Sequence, residues 1–338
     1  VVVALLAAGC EKDYPNPFGP QTATKAPPAG AAIVFTSNGW STTPGSGREL
    51  FSIGADGSNP TRLTFCNTAT EACDTLESSL SPESRRAIQR RARADVTGAA
   101  LVYTDLARAV ETDLLPAGQD VQGIDWAPSV EQPLILYSAR GEGGLEDIWR
   151  ADPNGANAGN LTSSATVRER RCRVDPLTRI ATYERLEGSG KAEVFVFVAT
   201  NQLQRVTPAG PGGAALPGTP YLVGSDTDPA FSPDGLSVVF RRLTATDAAG
   251  VGTWDIMTAT SQGASFASIA SFTTIATGPR FRGAPDWGPN GIIFPEVDVA
   301  SGTTELVLIT PAGQRRVLYT QGSRLVLSSP RWLRSVVQ

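Results

Sequence analysis

The chain has 338 residues, 41% of them hydrophobic and only 18% charged, with 34 Gly and 25 Pro; this composition supplies a large core and many short strands joined by turns. A formal net charge of −4 offers no electrostatic basis for nucleic acid as a partner. Histidine is absent, which excludes a Ser-His-Asp triad, a histidine general base and a histidine-ligated metal.

The first residues, Val1 to Gly9, read VVVALLAAG and end in small residues before Cys10. This resembles the end of a bacterial lipoprotein signal, with Cys10 as the lipidated residue. Ala7 stands where Leu is usual, with Leu6 adjacent, and neither an initiating Met nor a basic segment precedes the stretch. The alternative is the end of a retained membrane helix, since nine residues span only about 13 Å of a bilayer core of about 30 Å. Either reading puts the body on the periplasmic side of a bacterial membrane, anchored by its N-terminus. Residues 1–10 are thus the signal or anchor. Residues 11–31, with Pro15, Pro17, Pro20, Pro27 and Pro28, form an extended tether, and residues 32–338 are the folded body.

The body is repetitive. Its first unit, AIVFTS from Ala32 and ELFSIGADGSNPTRLT from Glu49, lacks a first strand of its own. Cys66 and Cys73 follow in a polar loop and are expected to form a disulfide outside the cytoplasm. The second unit begins SSLSPESRR at Ser78, and its next strand is expected at Ala100. Between them Arg85, Arg86, Arg90, Arg91 and Arg93 read as an insertion. IDWAPS from Ile124 and EDIWRA from Glu146 make the third unit. A second basic run, Arg168, Arg170, Arg171 and Arg173, precedes the fourth, which reads CRVDPLTRIATYERL from Cys172 and EVFVFV from Glu193. A glycine-rich loop, Gly210–Gly218, leads to the clearest unit, DPAFSPDGLSVVFRRL from Asp228. There Ser232-Pro233-Asp234-Gly235 predicts a type I turn between a strand ending at Phe231 and one over Leu236–Arg241. PDWGPNGIIFPEV from Pro285 and ELVLIT from Glu305 form the sixth unit. At the end, Ser328–Trp332 (SSPRW) is a first strand with no blade after it.

The prolines Pro82, Pro128, Pro176, Pro233, Pro289 and Pro330 recur at intervals of about 41 to 57 residues, the length of a four-stranded blade. The fold class is therefore all-β: a six-bladed β-propeller of four-stranded blades, closed by a C-terminal strand that completes the first blade. A seven-bladed ring or an open solenoid is the alternative.

The repeat resembles that of the TolB-like, or WD40-like "PD40", propeller family over nearly the whole chain after residue 31. Phe231-Ser232-Pro233-Asp234-Gly235 matches the family unit fully and Trp287-Gly288-Pro289-Asn290-Gly291 nearly so. Trp126-Ala127-Pro128 keeps the aromatic and the proline, while Val174-Asp175-Pro176 and Leu80-Ser81-Pro82 have lost the aromatic. The resemblance implies a bacterial envelope protein that binds other proteins.

Trp126, Phe231 and Trp287 occupy one repeat position and are expected to pack between blades rather than to form an aromatic cage. Asp226, Asp228 and Asp234 have D-x-D spacing, yet no 12-residue calcium loop accompanies them, so no metal is expected. Cys172 reads as a small apolar core residue. No catalytic residue or cofactor is indicated; a carbohydrate-active or peptidase-associated enzyme is the lesser alternative, without a Gly-x-Ser-x-Gly segment to support it. The candidate interaction surface is the pair of basic runs, Arg85, Arg86, Arg90, Arg91 and Arg93 with Arg168, Arg170 and Arg171. The function expected is a non-catalytic, membrane-anchored scaffold or an accessory subunit of a larger membrane complex of respiratory or photosynthetic type, or else an envelope protein with transient partners. Its partners would be proteins at or in the membrane, with neither nucleic acid nor a small-molecule substrate.

Overall fold

The computed structural model describes residues 24–39, 47–65, 73–93, 99–115, 119, 121–127, 134–141, 143–175, 181–188, 190–198, 202–263, 266–298, 301–322 and 327–334, and for residues 73, 93, 198 and 202 the backbone alone. Within them lie 25 strands in six antiparallel sheets and no helix.

Blade one holds β1 (Ile33–Ser37), β2 (Glu49–Ile53) and β3 (Thr61–Arg62). Blade two holds β4 (Cys73–Leu80), β5 (Arg86–Arg93), β6 (Ala99–Asp105) and β7 (Val110–Leu115). Blade three holds β8 (Ile124–Trp126), β9 (Ile135–Arg140), β10 (Glu146–Ala151) and β11 (Gly159–Asn160). Blade four holds β12 (Arg168–Val174), β13 (Ala181–Glu187), β14 (Lys191–Val198) and β15 (Gln202–Arg205). Blade five holds β16 (Asp226–Phe231), β17 (Ser237–Thr246), β18 (Gly252–Ser261) and β19 (Ile269–Ala276). Blade six has a split first strand, β20 (Phe281–Arg282) and β21 (Asp286–Gly288), then β22 (Gly291–Val297), β23 (Thr304–Ile309) and β24 (Arg315–Gln321). The last strand, β25 (Leu327–Trp332), pairs with β1 and completes blade one.

The first strands touch one another in a closed circuit, β25 to β4, β8, β12, β16, β21 and back to β25, and so line the axis. Closure by β25 agrees with the C-terminal strand expected from the sequence, and it removes the open edge that the first strand of blade one would otherwise leave. The Ser232–Gly235 turn also forms as expected. The Gly235 N–H donates to the Ser232 carbonyl at 3.0 Å, and Gly235 has φ +67°, which a Cβ would make costly.

The core lies in six wedges between neighbouring blades, and one repeat position fills each. Leu80 packs with Val34 and Leu50 between blades one and two. Trp126 packs with Ile88 and Leu101 between two and three. Val174 packs with Leu136 and Ile148 between three and four. Phe231 lies with Val194 and Val196 between four and five. Trp287 lies against Phe294 and Ile256 between five and six, and Trp332 against Ile293 and Leu306 between six and one. Each fully buried large side chain contributes about 1.5–3 kcal/mol, which explains why Leu and Val serve where the aromatic is lost.

Three sequence expectations are corrected. The arginines from Arg86 to Arg93 are not an insertion; they are strand β5, paired with both β4 and β6. Likewise, Arg168–Arg173 do not precede blade four but form its innermost strand, β12. Pro330 is not equivalent to Pro233 and Pro289. It stands two residues before Trp332, as Pro229 stands before Phe231 and Pro285 before Trp287, so the repeat's aromatic in the last strand is Trp332.

Candidate functional site

The inner strands carry a recurrent irregularity. The pairing of β25 with β1, β4 with β5, β12 with β13 and β16 with β17 each gains one extra residue on the inner strand. Such bulges turn a side chain away from the regular alternation. Arg171, Asp228 and Ser329 sit in them with φ of 55°, 52° and 48°, a conformation that non-glycine residues adopt at a cost. In blade three Gly123 lies beside this point; a Cβ there would meet the Arg171 Cα at 2.4 Å.

The bulges aim their side chains into an axial funnel of 530 Å³. Four guanidinium groups from four blades enter it: Arg48, just before β2, Arg90 on β5, Arg171 on β12 and Arg241 on β17. Asp228 is the carboxylate among them, accepting from Arg171 Nη1 at 2.6 Å and from Arg241 Nε. Burial pushes the Asp228 carboxyl up, but Arg171, Arg241 and Arg173 outweigh it and hold it well below the usual range. Arg48 is paired with Asp74 through Nη2 at 2.6 Å. Glu184, buried, accepts from Tyr221 Oη at 2.9 Å and pairs with Arg170 at 2.7 Å and with Arg171 at 3.4 Å.

Further along the inner strands the axis is filled. Glu77 accepts from Arg173 Nη2 at 2.6 Å and is also bound by Arg331 Nη2. Asp125 accepts from Ser79 Oγ at 2.8 Å, Val174 N at 2.8 Å and Arg334 Nη2 at 3.0 Å. These carboxylates are all committed to cations or backbone donors, an arrangement that fixes the ring and leaves them poorly placed for proton transfer.

The basic residues singled out in the sequence do not form one patch. Arg85 is exposed on the turn before β5. Arg86 pairs with Glu83 and lies 5.5 Å from the Trp126 ring centroid. Arg91 and Arg170 are buried against Glu111 and Glu184. Arg168 is exposed, 3.8 Å from Glu146. Only Arg90 and Arg171 meet, in the funnel. Arg93's side chain, Cys10, Cys66 and the Cys73 side chain lie outside the described residues. Arg48, Arg241 and Asp228 are funnel residues that no sequence signal marked for this role; they come from three separate points of the repeat and converge only through ring closure.

Asp226, Asp228 and Asp234 do not converge on a cation site. Asp226 is paired with Arg242 at 2.6 Å, Asp228 with the funnel arginines, and Asp234 accepts from Leu236 N at 3.0 Å within its turn. Among the described residues no group of acidic or cysteine side chains is arranged to hold a metal.

No family model and no curated protein matches the sequence. Solved structures do match. TolB from Acinetobacter baumannii aligns with TM-score 0.64 and 14% identity over 91% of this chain and 68% of that one. The chain has the fold of a TolB-like six-bladed propeller. The putative TolB of Agrobacterium tumefaciens aligns with TM-score 0.56 and 12% identity over 89% of this chain and 98% of that one. The same architecture occurs in the tricorn protease, at TM-score 0.54 and 9% identity over 86% of this chain and 26% of that protein. The fold is therefore shared between TolB and a peptidase, and function must be argued from the residues.

Proposed function

We propose that this propeller is a non-catalytic protein-interaction platform at the periplasmic side of a bacterial membrane, tethered through its N-terminus and serving as a scaffold or accessory subunit of a larger membrane complex. The observation that carries this reading is the state of the axial polar groups. In a propeller without histidine, the carboxylates Glu77, Asp125, Glu184 and Asp228 are held by arginines. A carboxylate so paired is a poor general base or nucleophile. The likeness to TolB structures supports the reading at the level of fold.

Attachment through the N-terminus rests on the apolar run before Cys10. No helix among the described residues is long and apolar enough to cross a membrane.

Fractionation and co-purification test the proposal together. The full chain should sediment with membranes and, in mild detergent, bring down one or more proteins in fixed stoichiometry. A chain beginning at Glu11 should move to the soluble fraction once salt has screened contacts to lipid headgroups. Retention of the shortened chain in membranes after salt and carbonate washing would overturn the N-terminal attachment, and purification of the full chain without any companion would overturn the platform reading.

A further inference from the structure

The funnel has an imbalance of charge that its own residues do not settle. The four arginines that line it, Arg48, Arg90, Arg171 and Arg241, together with Arg170, which shares Glu184 with Arg171, face three carboxylates, Asp74, Glu184 and Asp228. Four of the five arginines are in ion pairs; Arg90 is the exception. Its Nη1 reaches the Val121 carbonyl and Gln122 Oε1 only at 3.4 Å, and its Nε is buried without a hydrogen-bond partner among the described residues. No carboxylate of a described residue lies in ion-pair contact with it. Burial pulls its pKa below the usual guanidinium value, and the nearby Arg171 and Arg48 act in the same direction, against Glu77 and Asp228. A half-buried cation left unpaired in a cluster with a surplus of two positive charges is costly.

The same geometry makes a receptor. Guanidinium groups present planar forks that match carboxylate and phosphate oxygens, and here four of them point inward from four blades. The cavity of 530 Å³ holds a small oxyanion with room to spare, and the Phe281 ring forms part of its wall. Arg171 and Asp228 are held there in strained backbone conformations, so the site is built rather than flexible.

We propose that the axial funnel is a binding site for a doubly charged oxyanionic group, of the phosphate monoester or dicarboxylate class, seated on Arg90 and flanked by Arg48, Arg171 and Arg241. The group arrives either as a free small anion or as the acidic end of a partner's chain; the two carboxylates of a C-terminal aspartate have the required charge. The inference does not depend on the platform reading: a free anion would occupy the site whether or not a protein docks above it.

The test uses the full protein at constant ionic strength. Titration calorimetry and thermal unfolding are run with inorganic phosphate, with succinate, and with a short peptide ending in aspartate beside its C-terminal amide. Saturable binding of at least one dianion is expected, with a rise in melting temperature, and Arg90→Met should weaken it by about tenfold or more. Because Arg90 has no carboxylate partner, Arg90→Met should leave the anion-free melting temperature unchanged or higher, and Arg90→Lys should restore part of the affinity. The exposed Arg108→Met serves as a control that leaves binding intact. Tighter binding of the free-acid peptide than of succinate and of its amide identifies a chain end as the source; equal binding of peptide and succinate identifies a free anion. Failure of all probes to saturate, or equal binding by wild type and Arg90→Met, overturns the proposal.

Discussion

Trp332 donates its backbone N–H to Oδ2 of Asp286 at 2.7 Å, and its indole N–H donates to the Gly291 carbonyl at 3.1 Å, so the last strand of the chain is fastened to the inner edge of blade six. The relation repeats around the ring. Val174 N donates to Asp125 Oδ2 at 2.8 Å, and Trp126 N donates to Ser79 Oγ at 3.0 Å. In each case the residue before the wedge position of one blade accepts from the wedge residue of the next. The device that links ordinary neighbours also closes the circle.

Asp286 accepts this bond at a cost. Burial raises its pKa to about 6, with Asp125 adding to the effect and Arg334, the Trp332 N–H and Arg173 opposing it. An acid whose folded pKa lies above its unfolded value binds its proton more tightly when folded. Stability therefore falls as pH rises from about 4 to about 6 and is level above that. Asp286→Asn keeps a carbonyl acceptor for Trp332 and removes the titration. The variant should match wild type near pH 4 and exceed it by up to about 3 kcal/mol at pH 7.5. Denaturant unfolding of both proteins at the two pH values measures the gap, and a gap that does not change with pH contradicts the assignment.

Trp332 carries the wedge between blades six and one. Trp332→Ala should lower stability by about 3–5 kcal/mol, the range for deleting a large buried aromatic. Deletion from Ser328 onward should do more, because β1 becomes an unpaired inner edge and the funnel loses a wall. Light scattering should show self-association of the shortened chain; a monomer with the wild-type melting temperature would mean that the ring closes without β25.

Glu77 sits between Arg173 and Arg331, all three nearly inaccessible. Glu77→Ala strands two buried guanidinium groups and should cost about 3–5 kcal/mol, whereas replacing all three by apolar residues of similar volume should cost far less. Equal losses in the single and triple variants would show that the site matters for its shape and not for its charges.

The parts of the fold that were legible in the sequence are those fixed by local chemistry. Ser232–Gly235 announces its turn because Pro and Gly have few conformations to choose from, and Ser328–Trp332 announces closure because it is a first strand without a blade. β5 was not legible. Ala87, Ile88, Gln89 and Arg91 are all buried, so no alternation marks the strand, and its charges are hidden by partners such as Glu111. The funnel was less legible still. In the sequence Arg90 and Arg171 stand out only as members of basic runs, Asp228 only through a D-x-D spacing that suggests a cation, and Arg241 not at all. The pairs that define the axis lie far apart in the chain, with Glu77 and Arg331 separated by 254 positions. Contacts of that kind arise from ring geometry, which composition and spacing do not report.

The thiols give the last test. Cys172 is buried between blades three and four, its Sγ 3.9 Å from the Gly123 carbonyl, and burial pushes its pKa far above the usual thiol value. Nucleophilic attack needs the thiolate, so Cys172 should resist alkylation in the folded protein. Cys66 and Cys73 are close in sequence, and in the proposed location outside the cytoplasm such pairs are oxidised. Native protein treated with iodoacetamide should therefore take up no label at these three positions. Reduction without unfolding should expose Cys66 and Cys73 alone, and unfolding after reduction should add Cys172. Peptide mapping by mass spectrometry distinguishes the three steps. Labelling of Cys66 and Cys73 before reduction would remove the disulfide, and labelling of Cys172 in the folded state would show that the wedge between blades three and four opens to solvent.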